Sequence, residues 1–479
     1  MRKFFGLIIN EYVKIVCKTS TKILLAAVIL VALGYNLIVN FSVSEMNRSR
    51  GRYSWGPDDY ISNAKSEKYE GWERDVELHT YFKENNIEMR GFQNEDDPDI
   101  WRHVAVYSLF NIKDMLKEAE SGGDGADMLA EIKKLAEDMD SAIKNKDWKA
   151  YYRCELTSLG ISGNGDPTQN DMDMYVWALQ YRIDNDVPPG NWKDEVLNTI
   201  SWNKQRLQTE YKEVEKTDDK YAEKVRLENE LAIAEYRLEQ DVESYTYDGI
   251  ESISNLYGGS KPGLWNIFAS SVTTISIISV LIIVVAGSLL SSEFSAGTVK
   301  FLLINPVKRW KIFTAKYVSV LSITLLALIV LYIFNFIFAG ILFGFGNFGA
   351  PFLSAAEGAV HAGSSFAYVA GKYLLGSVGM VCMATFAFAI SSLVRNSALS
   401  IGLGVFLLLI GSSAVQILNM LGFYQAKYIL FANTDLNAVI NGNTGFINHT
   451  LTFTLINIAV YMVVFLRTAW DGFVRNDVK

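Results

Sequence analysis

Six long apolar runs dominate the hydrophobic pattern of the chain. Each contains 19 or more mostly apolar residues. At 1.5 Å per residue, a helix formed by any one of them would cross roughly 30 Å of hydrocarbon. The runs cover residues 23–43, 266–290, 317–345, 366–392, 397–419 and 450–468. They predict a polytopic membrane protein with six transmembrane helices, numbered here as spans 1 to 6.

The segment between spans 1 and 2, residues 44–264, has a different pattern. Apolar residues recur there at helical spacing, as at Ile132, Leu135 and Met139. Residues 191–242 contain neither Pro nor Gly, so they predict one helix up to about 78 Å long, or a hairpin bent near residues 216–220. Tryptophans throughout the segment favour a packed core over a disordered linker. The expected fold class is therefore mainly α, with six membrane helices and a large, mostly helical domain between the first two.

Charge separates this domain from the rest of the chain. Residues 44–264 carry 28 Lys+Arg and 46 Asp+Glu, which leaves 16 and 6 elsewhere in a chain of net charge −8. The three cysteines, Cys17, Cys154 and Cys382, fall in three regions, so the acidic domain cannot contain an internal disulfide. It must be held together by packing.

Basic residues in the short connections predict the orientation, because they stay on the cytoplasmic side of a membrane. They cluster before span 1, between spans 2 and 3, between spans 4 and 5 and after span 6: Arg2, Lys3, Lys14, Lys18, Lys22, Lys300, Lys308, Arg309, Lys311, Lys316, Arg395, Arg467, Arg475 and Lys479. This pattern places an interfacial helix (residues 1–22), the loop 291–316 and the tail 469–479 in the cytoplasm. The acidic domain is then extracytoplasmic, in a protein of the cytoplasmic membrane.

Polar and small residues in and between the spans suggest further features. Thr273, Thr274 and Ser276 of span 2 either line a pathway or bond to the preceding turn of their own helix. Glycines in spans 4 and 5 predict close helix packing. The external loop 420–449 is unusually apolar and is expected to fold back into the protein. No Asp or Glu lies within the six runs, which weighs against a proton- or sodium-driven carrier.

The loop between spans 2 and 3 carries five basic residues around an apolar strip that includes Phe301 and Leu302. Burying five such charges in hydrocarbon would cost on the order of 12 to 17 kcal/mol. The loop therefore predicts a short amphipathic helix lying along the cytoplasmic face and ending before Pro306. An interfacial helix with ordinary positive-inside charge would account for most of the lysines.

The sequence EFSAGTVKFLLINPVKRWKIFTAKY, which begins at Glu293, resembles the segment between spans 2 and 3 of type 2 permeases of ATP-binding cassette (ABC) transporters. The shared positions are a Glu, a Gly-Thr pair, a Pro-hydrophobe-basic group and a Lys that opens span 3: Glu293, Gly297, Thr298, Pro306, Val307, Arg309 and Lys316. Glu11 and Lys14 match that family's N-terminal helix, and the six spans agree with it. Residues 44–264 have no counterpart in the resemblance.

This resemblance implies that the loop is a coupling helix that docks into a groove of a separate ATPase. Phe301 and Leu302 would seat in the groove, Lys308 and Arg309 would meet its acidic rim or lipid phosphates, and Glu293 would brace the helix end. The chain contains no G-x-x-x-x-G-K-[ST] sequence for nucleotide phosphates. ATP and Mg would accordingly bind to partner ATPase subunits, and this chain would be neither an enzyme nor a holder of a cofactor. A second permease chain, identical or different, and membrane lipids are the other implied partners, and nucleic acid is not.

The expected function is that of a permease subunit of an ABC exporter for a hydrophobic or amphipathic substrate, with peptide, lipid and drug all left open. The alternative is a mechanotransmission or sensing subunit, whose external domain responds to ATPase strokes without transport. A membrane-bound hydrolase is disfavoured, because the four histidines form no H-E-x-x-H and no G-x-S-x-G occurs.

Overall fold

The computed structural model divides into two compact units, each described by itself. Unit 1 contains Met1–Phe41, Pro262–Phe348 and Ser365–Lys479, and unit 2 contains Ser42–Lys261 and Gly349–Ser364. The structure describes residues 2–52, 56–87, 99, 101–122, 128–162, 169–216, 218, 220–247, 263–295, 308–356, 358–394, 396–440, 444–446 and 449–475. Helices make up most of the described chain.

Six helices of unit 1 are long and apolar enough to cross a membrane, which confirms the predicted number of spans. The N-terminal helix precedes them at Arg2–Cys17. Span 1 is the helix Thr19–Arg52, and span 2 consists of the helix Leu264–Ser270, a 3-10 turn at Ser271–Thr273, the helix Thr274–Leu289 and the short helix Ser291–Ser295. Spans 3, 4 and 5 are the helices Arg309–Phe343, Ser365–Leu393 and Ser397–Met420. Span 6 is the helix Leu451–Trp470, which is followed by a π turn at Asp471–Arg475.

Span 4 lies at the centre of unit 1 and packs against spans 2, 3, 5 and 6. Small side chains such as Ala384, Ala387 and Ala389 allow neighbouring helices to approach it from several sides, and all three are buried. Span 4 is also the most buried of the six candidate spans.

Span 3 begins earlier than its hydropathy predicts. The apolar run starts at residue 317, but the helix starts at Arg309, after Lys308 in extended conformation. The additional turns are stabilised by packing: the ring of Phe313 lies 5.4 Å from that of Phe388 and 5.5 Å from that of Trp470. Lys316 is therefore inside the helix rather than at the end of a loop. Of the predicted coupling-helix loop, residues 291–316, Ser291–Ser295 form the short helix at the end of span 2, and residues 296–307 lie outside the described residues.

The loop between spans 5 and 6 folds back onto the bundle. It contains short turns at Tyr424–Tyr428 and Leu430–Ala432 and a helix at Leu436–Ile440, with Leu430 and Leu436 buried. Two glycines make room for it. A Cβ at Gly379 would lie 2.3 Å from the carbonyl oxygen of Thr434, and one at Gly411 would lie 2.3 Å from the ring of Phe431. Gly379 and Gly411 therefore accommodate the loop rather than a neighbouring helix. The predicted close helix packing is confirmed at Gly376 and Gly404, where an added Cβ would meet side chains of span 2.

Unit 2 is mainly helical, as predicted. Its described helices are Pro57–Glu67, Trp72–Glu84, Trp101–Glu120, Leu129–Asn145, Trp148–Ser162, Gln169–Asp184, Trp192–Thr209 and Tyr221–Glu239, and each packs against the next. Ile132, Leu135 and Met139 face the main core. The last two helices form a hairpin, so of the two predictions for residues 191–242 the hairpin is right.

A small sheet in unit 2 escaped the prediction of a mainly α fold. Strand β1 (Thr246–Tyr247) pairs in parallel with β2 (Pro351–Ala356), which pairs antiparallel with β3 (Ala359–Ser364). The β2–β3 hairpin turns at Gly358, whose φ of +79° suits glycine. The sheet joins segments about a hundred residues apart, and no local pattern encodes such a pairing.

Candidate functional site

A buried ion-pair cluster joins three segments of unit 1. Nζ of Lys316 lies 2.6 Å from Oε1 of Glu293 and 3.2 Å from Oε2 of Glu11. Nζ of Lys14 lies 3.0 Å from the other carboxylate oxygen, Oε1, of Glu11. The cluster thereby connects the N-terminal helix, the end of span 2 and the first turns of span 3.

Lys316 is almost inaccessible, with 1% of its side chain exposed. An ammonium group buried in this way is tolerated only when it is paired with opposite charge and hydrogen-bonded. Glu11, with 6% of its side chain exposed, and Glu293, with 25%, meet that need. Removing either carboxylate would leave the lysine charge under-compensated, so the three side chains depend on one another.

Glu11 reaches the cluster because the N-terminal helix packs against span 3. Glu11 and Ile15, one turn apart, form the buried face of that helix. Burial by itself raises the pKa of the Glu11 carboxyl, but the charge of Lys316 and the hydrogen bond from Lys14 outweigh it and hold the pKa below its usual value. The carboxylate is therefore charged near neutral pH.

Serine side chains fix the end of span 2 from which Glu293 projects. Oγ of Ser391, in span 4, accepts hydrogen bonds from the backbone N–H groups of Leu290 and Ser291, at 3.1 and 3.0 Å. The Ser291 hydroxyl is 2.7 Å from the carbonyl oxygen of Gly287 and 3.1 Å from Oγ of Ser397, at the start of span 5. The segment that carries Glu293 is thus anchored to two further spans.

Four of the predicted residues, Glu11, Lys14, Glu293 and Lys316, come together in this cluster. Lys308 is exposed at the start of span 3, in the connection where the resemblance places an ATPase-facing surface. The remaining residues of the predicted coupling helix lie outside the described residues: Gly297, Thr298, Phe301, Leu302 and Pro306.

The hydroxyls proposed to line a pathway do not share one environment. Thr274 is buried, while Thr273 and Ser276 are exposed on span 2. Thr273 and Thr274 donate to the carbonyl oxygens of Ser270 and Ser271, in the preceding turn of their own helix. These two threonines therefore make the predicted bond to the preceding turn of their own helix.

A second polar group inside the bundle was missed at the sequence level. Nδ2 of Asn36 in span 1 donates to Oδ1 of Asn335 in span 3, at 3.0 Å. Nδ2 of Asn335 donates in turn to the hydroxyl of Tyr373 in span 4, at 3.0 Å, and that hydroxyl lies 2.6 Å from Oγ of Ser271 in span 2. This polar node, formed by Asn36, Asn335, Tyr373 and Ser271, links four spans. Its signal was available, since a carboxamide in an apolar run is a typical interhelical contact.

A third polar group ties the folded-back loop to span 6. Asn433 is fully buried and donates to the carbonyl oxygens of Lys427 and Ile429, at 2.8 and 2.9 Å. Its Oδ1 lies 3.1 Å from Nε2 of His449, and Oγ1 of Thr454, in the first turn of span 6, lies 3.0 Å from the same nitrogen. Only the fold brings these partners together, because Asn433 and His449 are 16 residues apart along the chain.

The chemistry of these groups is structural and mechanical. Over the described part of the chain, no group of three or more His, Cys, Asp or Glu side chains could hold a metal ion. In the Lys316 cluster the lysine is already paired with two carboxylates. The cluster therefore links the N-terminal helix, the end of span 2 and the start of span 3.

Comparison with known proteins finds a sequence-family match over the part of the chain that contains spans 2 to 6. Residues 249–479, which contain spans 2 to 6, match the family described as "Protein of unknown function (DUF2705)". The "Uncharacterized membrane protein YdbK" of Bacillus subtilis (strain 168) is 32% identical over 206 residues, which are 42% of this chain and 78% of that protein. No solved structure matches the chain.

A second relative is similar over a longer stretch. The "Uncharacterized protein YhcI" of Bacillus subtilis (strain 168) is 31% identical over 290 residues, which are 60% of this chain and 85% of that protein. Together with the six apolar helices, the relative named as a membrane protein identifies this chain as membrane-integral. With identity of this extent across most of YhcI, the chain belongs to the same family as YhcI.

Proposed function

We propose that this protein is the transmembrane permease subunit of an ATP-driven ABC exporter that moves a hydrophobic or amphipathic molecule across the cytoplasmic membrane. Both termini and the loop 291–316 would face the cytoplasm, and residues 44–264 would lie outside. The observation that carries the proposal is the buried ion-pair cluster of Lys316 with Glu11 and Glu293. The resemblance to type 2 permeases assigned Glu293 and Lys316 to coupling and Glu11 to the N-terminal helix, and both carboxylates contact Lys316.

The cluster suits the transmission of force from the loop to the spans. Glu293 lies just before the loop residues 296–307, and Lys308 lies just after them. A push on the loop would reach the ends of spans 2 and 3 together, because Lys316 bonds the first to the second. Separating a buried ion pair leaves uncompensated charge, at a cost of about 3–5 kcal/mol. The N-terminal helix, held by Glu11, would therefore follow the same movement.

Energy would come from partner subunits. In this proposal, ATPase subunits bind ATP and Mg, and two permease chains face each other across the pathway. ATP binding draws the ATPase subunits together, and the loops convey that movement to the spans. This chain itself contributes the docking loop, the ion-pair cluster and the membrane path.

Reconstitution of the full chain with a candidate ABC ATPase from the same organism tests the proposal. We expect the two to co-purify and the ATPase rate in nanodiscs to depend on the permease. The double variant Lys308→Glu/Arg309→Glu should abolish that dependence. The matched control is Arg467→Glu/Arg475→Glu. It makes the same change in charge near the C-terminus, and the ATPase rate should still depend on the permease.

The outcomes separate the alternatives. Failure of the chain to bind any ATPase, or equal loss of coupling in both double variants, would refute the assignment. Movement of a fluorescent phospholipid or an apolar peptide across proteoliposomes, dependent on ATP, supports export. Coupled ATPase activity without movement of any such probe would instead support mechanotransmission.

A further inference from the structure

The loop between spans 5 and 6 is held by a histidine, His449, whose neighbours determine which of its ring nitrogens carries the hydrogen. Both hydrogens of the Asn433 amide are used, because Nδ2 donates to the carbonyl oxygens of Lys427 and Ile429. Its Oδ1 is therefore the acceptor that faces His449, at 3.1 Å from Nε2. Nε2 must carry the hydrogen and donate it to Asn433.

The other ring nitrogen of His449, Nδ1, lies in an apolar setting. Nδ1 is buried and has no hydrogen-bond partner within the described part of the chain. The rings of Phe446 and Phe453 lie edge-on to the imidazole, with centroids 5.8 and 5.6 Å away. In the neutral ring Nδ1 presents only a lone pair, which tolerates such an apolar setting better than an N–H donor does. A proton on Nδ1 would create a charged donor with nothing to receive it.

Charged groups around the histidine add to this effect. The ammonium of Lys427 lies over the ring of Phe453, at 5.5 Å from its centroid, and its positive charge reaches His449. Asp435, close to Asn433 along the chain, is exposed, and its carboxylate accepts the N–H of Ala438. Burial first, and the charge of Lys427 second, lower the pKa of His449 below its usual value.

Loss of the histidine contact would act on the whole loop. Asn433 closes the turn through its two carbonyl contacts, and His449 and Thr454 connect that turn to the start of span 6. The same turn is followed by Thr434, whose carbonyl oxygen occupies the space above Gly379 in span 4. A protonated His449 would bring charge into an apolar setting at one of the contacts that join this turn to span 6. The others include the hydroxyl of Tyr461, which donates to the carbonyl oxygen of Tyr428 at 3.1 Å.

We propose that His449 is an acid-sensitive latch: protonation of its imidazole releases the loop 424–440 from the ends of spans 4, 5 and 6. Above the ordinary pKa of a histidine the latch is closed, and the stabilisation it provides is complete. As pH falls below that value, the released state takes up a proton that the closed state binds poorly, so the balance shifts toward release. The latch requires no substrate, nucleotide or partner, so it stands or falls separately from the proposed export function.

Hydrogen exchange on the full-length protein in nanodiscs tests the latch. The backbone amides of residues 424–433 are followed by mass spectrometry at pH 7.5 and pH 5.0, after correction for the intrinsic pH dependence of exchange, with residues 379–392 of span 4 as the internal reference. With an ordinary histidine pKa of about 6.5 in the released state, the opening equilibrium should rise by up to about 30-fold at pH 5. The reference segment should change little.

Three variants sharpen the result. His449→Gln keeps an N–H donor near the position of Nε2 but cannot titrate, so its loop should stay closed at both pH values. His449→Leu removes the donor, and its loop should exchange fast at both. His361→Gln changes an exposed histidine of β3 and should respond to pH as the natural protein does.

Each contrary result would overturn the latch. One is an exchange rate in residues 424–433 that does not rise at pH 5.0 in the natural sequence. Another is an undiminished rise in His449→Gln. The last is an equal rise in the reference segment, which would mean general acid unfolding of unit 1 and no local release.

Discussion

Substitution of Lys316 by methionine is the sharpest test of the ion-pair cluster. Methionine keeps a long unbranched side chain in the same space and removes only the ammonium group. Glu11 and Glu293 would then lose the cation that lies 3.2 and 2.6 Å from their carboxylates. Glu11 would retain Lys14, whose side chain is 56% exposed and whose charge is therefore well screened by solvent.

The expected cost follows from burial. At an effective dielectric constant of about 20, each of the two Lys316 contacts is worth roughly 5 to 6 kcal/mol of gross Coulomb attraction. Most of this offsets the desolvation of the charges, and removing one partner of a buried pair typically costs about 3–5 kcal/mol of stability. In the pair of Glu11 with Lys14 the lysine is exposed to solvent, so a loss of about 0–1 kcal/mol is expected when this cation is removed.

The matched comparison is therefore Lys316→Met against Lys14→Met, two losses of a cation from the same carboxylate. Unfolding of the full chain in mixed micelles by titration with sodium dodecyl sulfate, followed by circular dichroism, gives the free-energy differences. Measurements belong at pH 7.5. The lowered pKa of Glu11 means that its contribution is complete above the usual value of 4.5 and declines as pH falls below it.

A double-mutant cycle with Glu11→Gln completes the test. If the two residues stabilise unit 1 through each other, the double variant should be less destabilised than the sum of the single variants, by about 1–3 kcal/mol. Equal costs for Lys316→Met and Lys14→Met, or strict additivity in the cycle, would refute the conclusion that burial makes this cluster a structural link.

Two further substitutions, each compared with a control variant, test other contacts of unit 1. Tyr373→Phe removes the hydroxyl shared by Asn335 and Ser271, and it should destabilise unit 1 by about 1–2 kcal/mol in the same titration. Tyr317→Phe removes only one contact between spans, to Thr385, and should cost about half as much. Gly379→Ala places a Cβ against the carbonyl oxygen of Thr434 and should increase amide exchange in the loop 424–440. Gly371→Ala is the control, because nothing lies within 4 Å of the new atom, and it should leave exchange in the loop unchanged. Similar exchange in the two variants would contradict the close approach of the loop to Gly379.

Hydropathy and helical spacing alone determined much of the architecture. The cost of exposing peptide groups and charges to hydrocarbon is large and local, so runs of apolar residues predict six spans with little ambiguity. Spacing likewise identified the core face of the helix Leu129–Asn145, where Ile132 and Met139 are buried. The resemblance marked Glu293 and Lys316 in the loop and, separately, Glu11 in the N-terminal helix, but it did not bring Glu11 together with Lys316, 305 residues away along the chain.

Tertiary structure decided how those residues are used. Only the fold brings Lys316 against both carboxylates, and the packing of Phe313 extends span 3 far enough to bury it. The loop seated over Gly379, the contact of His449 with Asn433 and the β1–β2 pairing join residues that no local pattern connects. The physical reason is the same in each case: a sequence pattern reports which side chains avoid water, whereas the partner that satisfies each buried polar group depends on which helices meet in space.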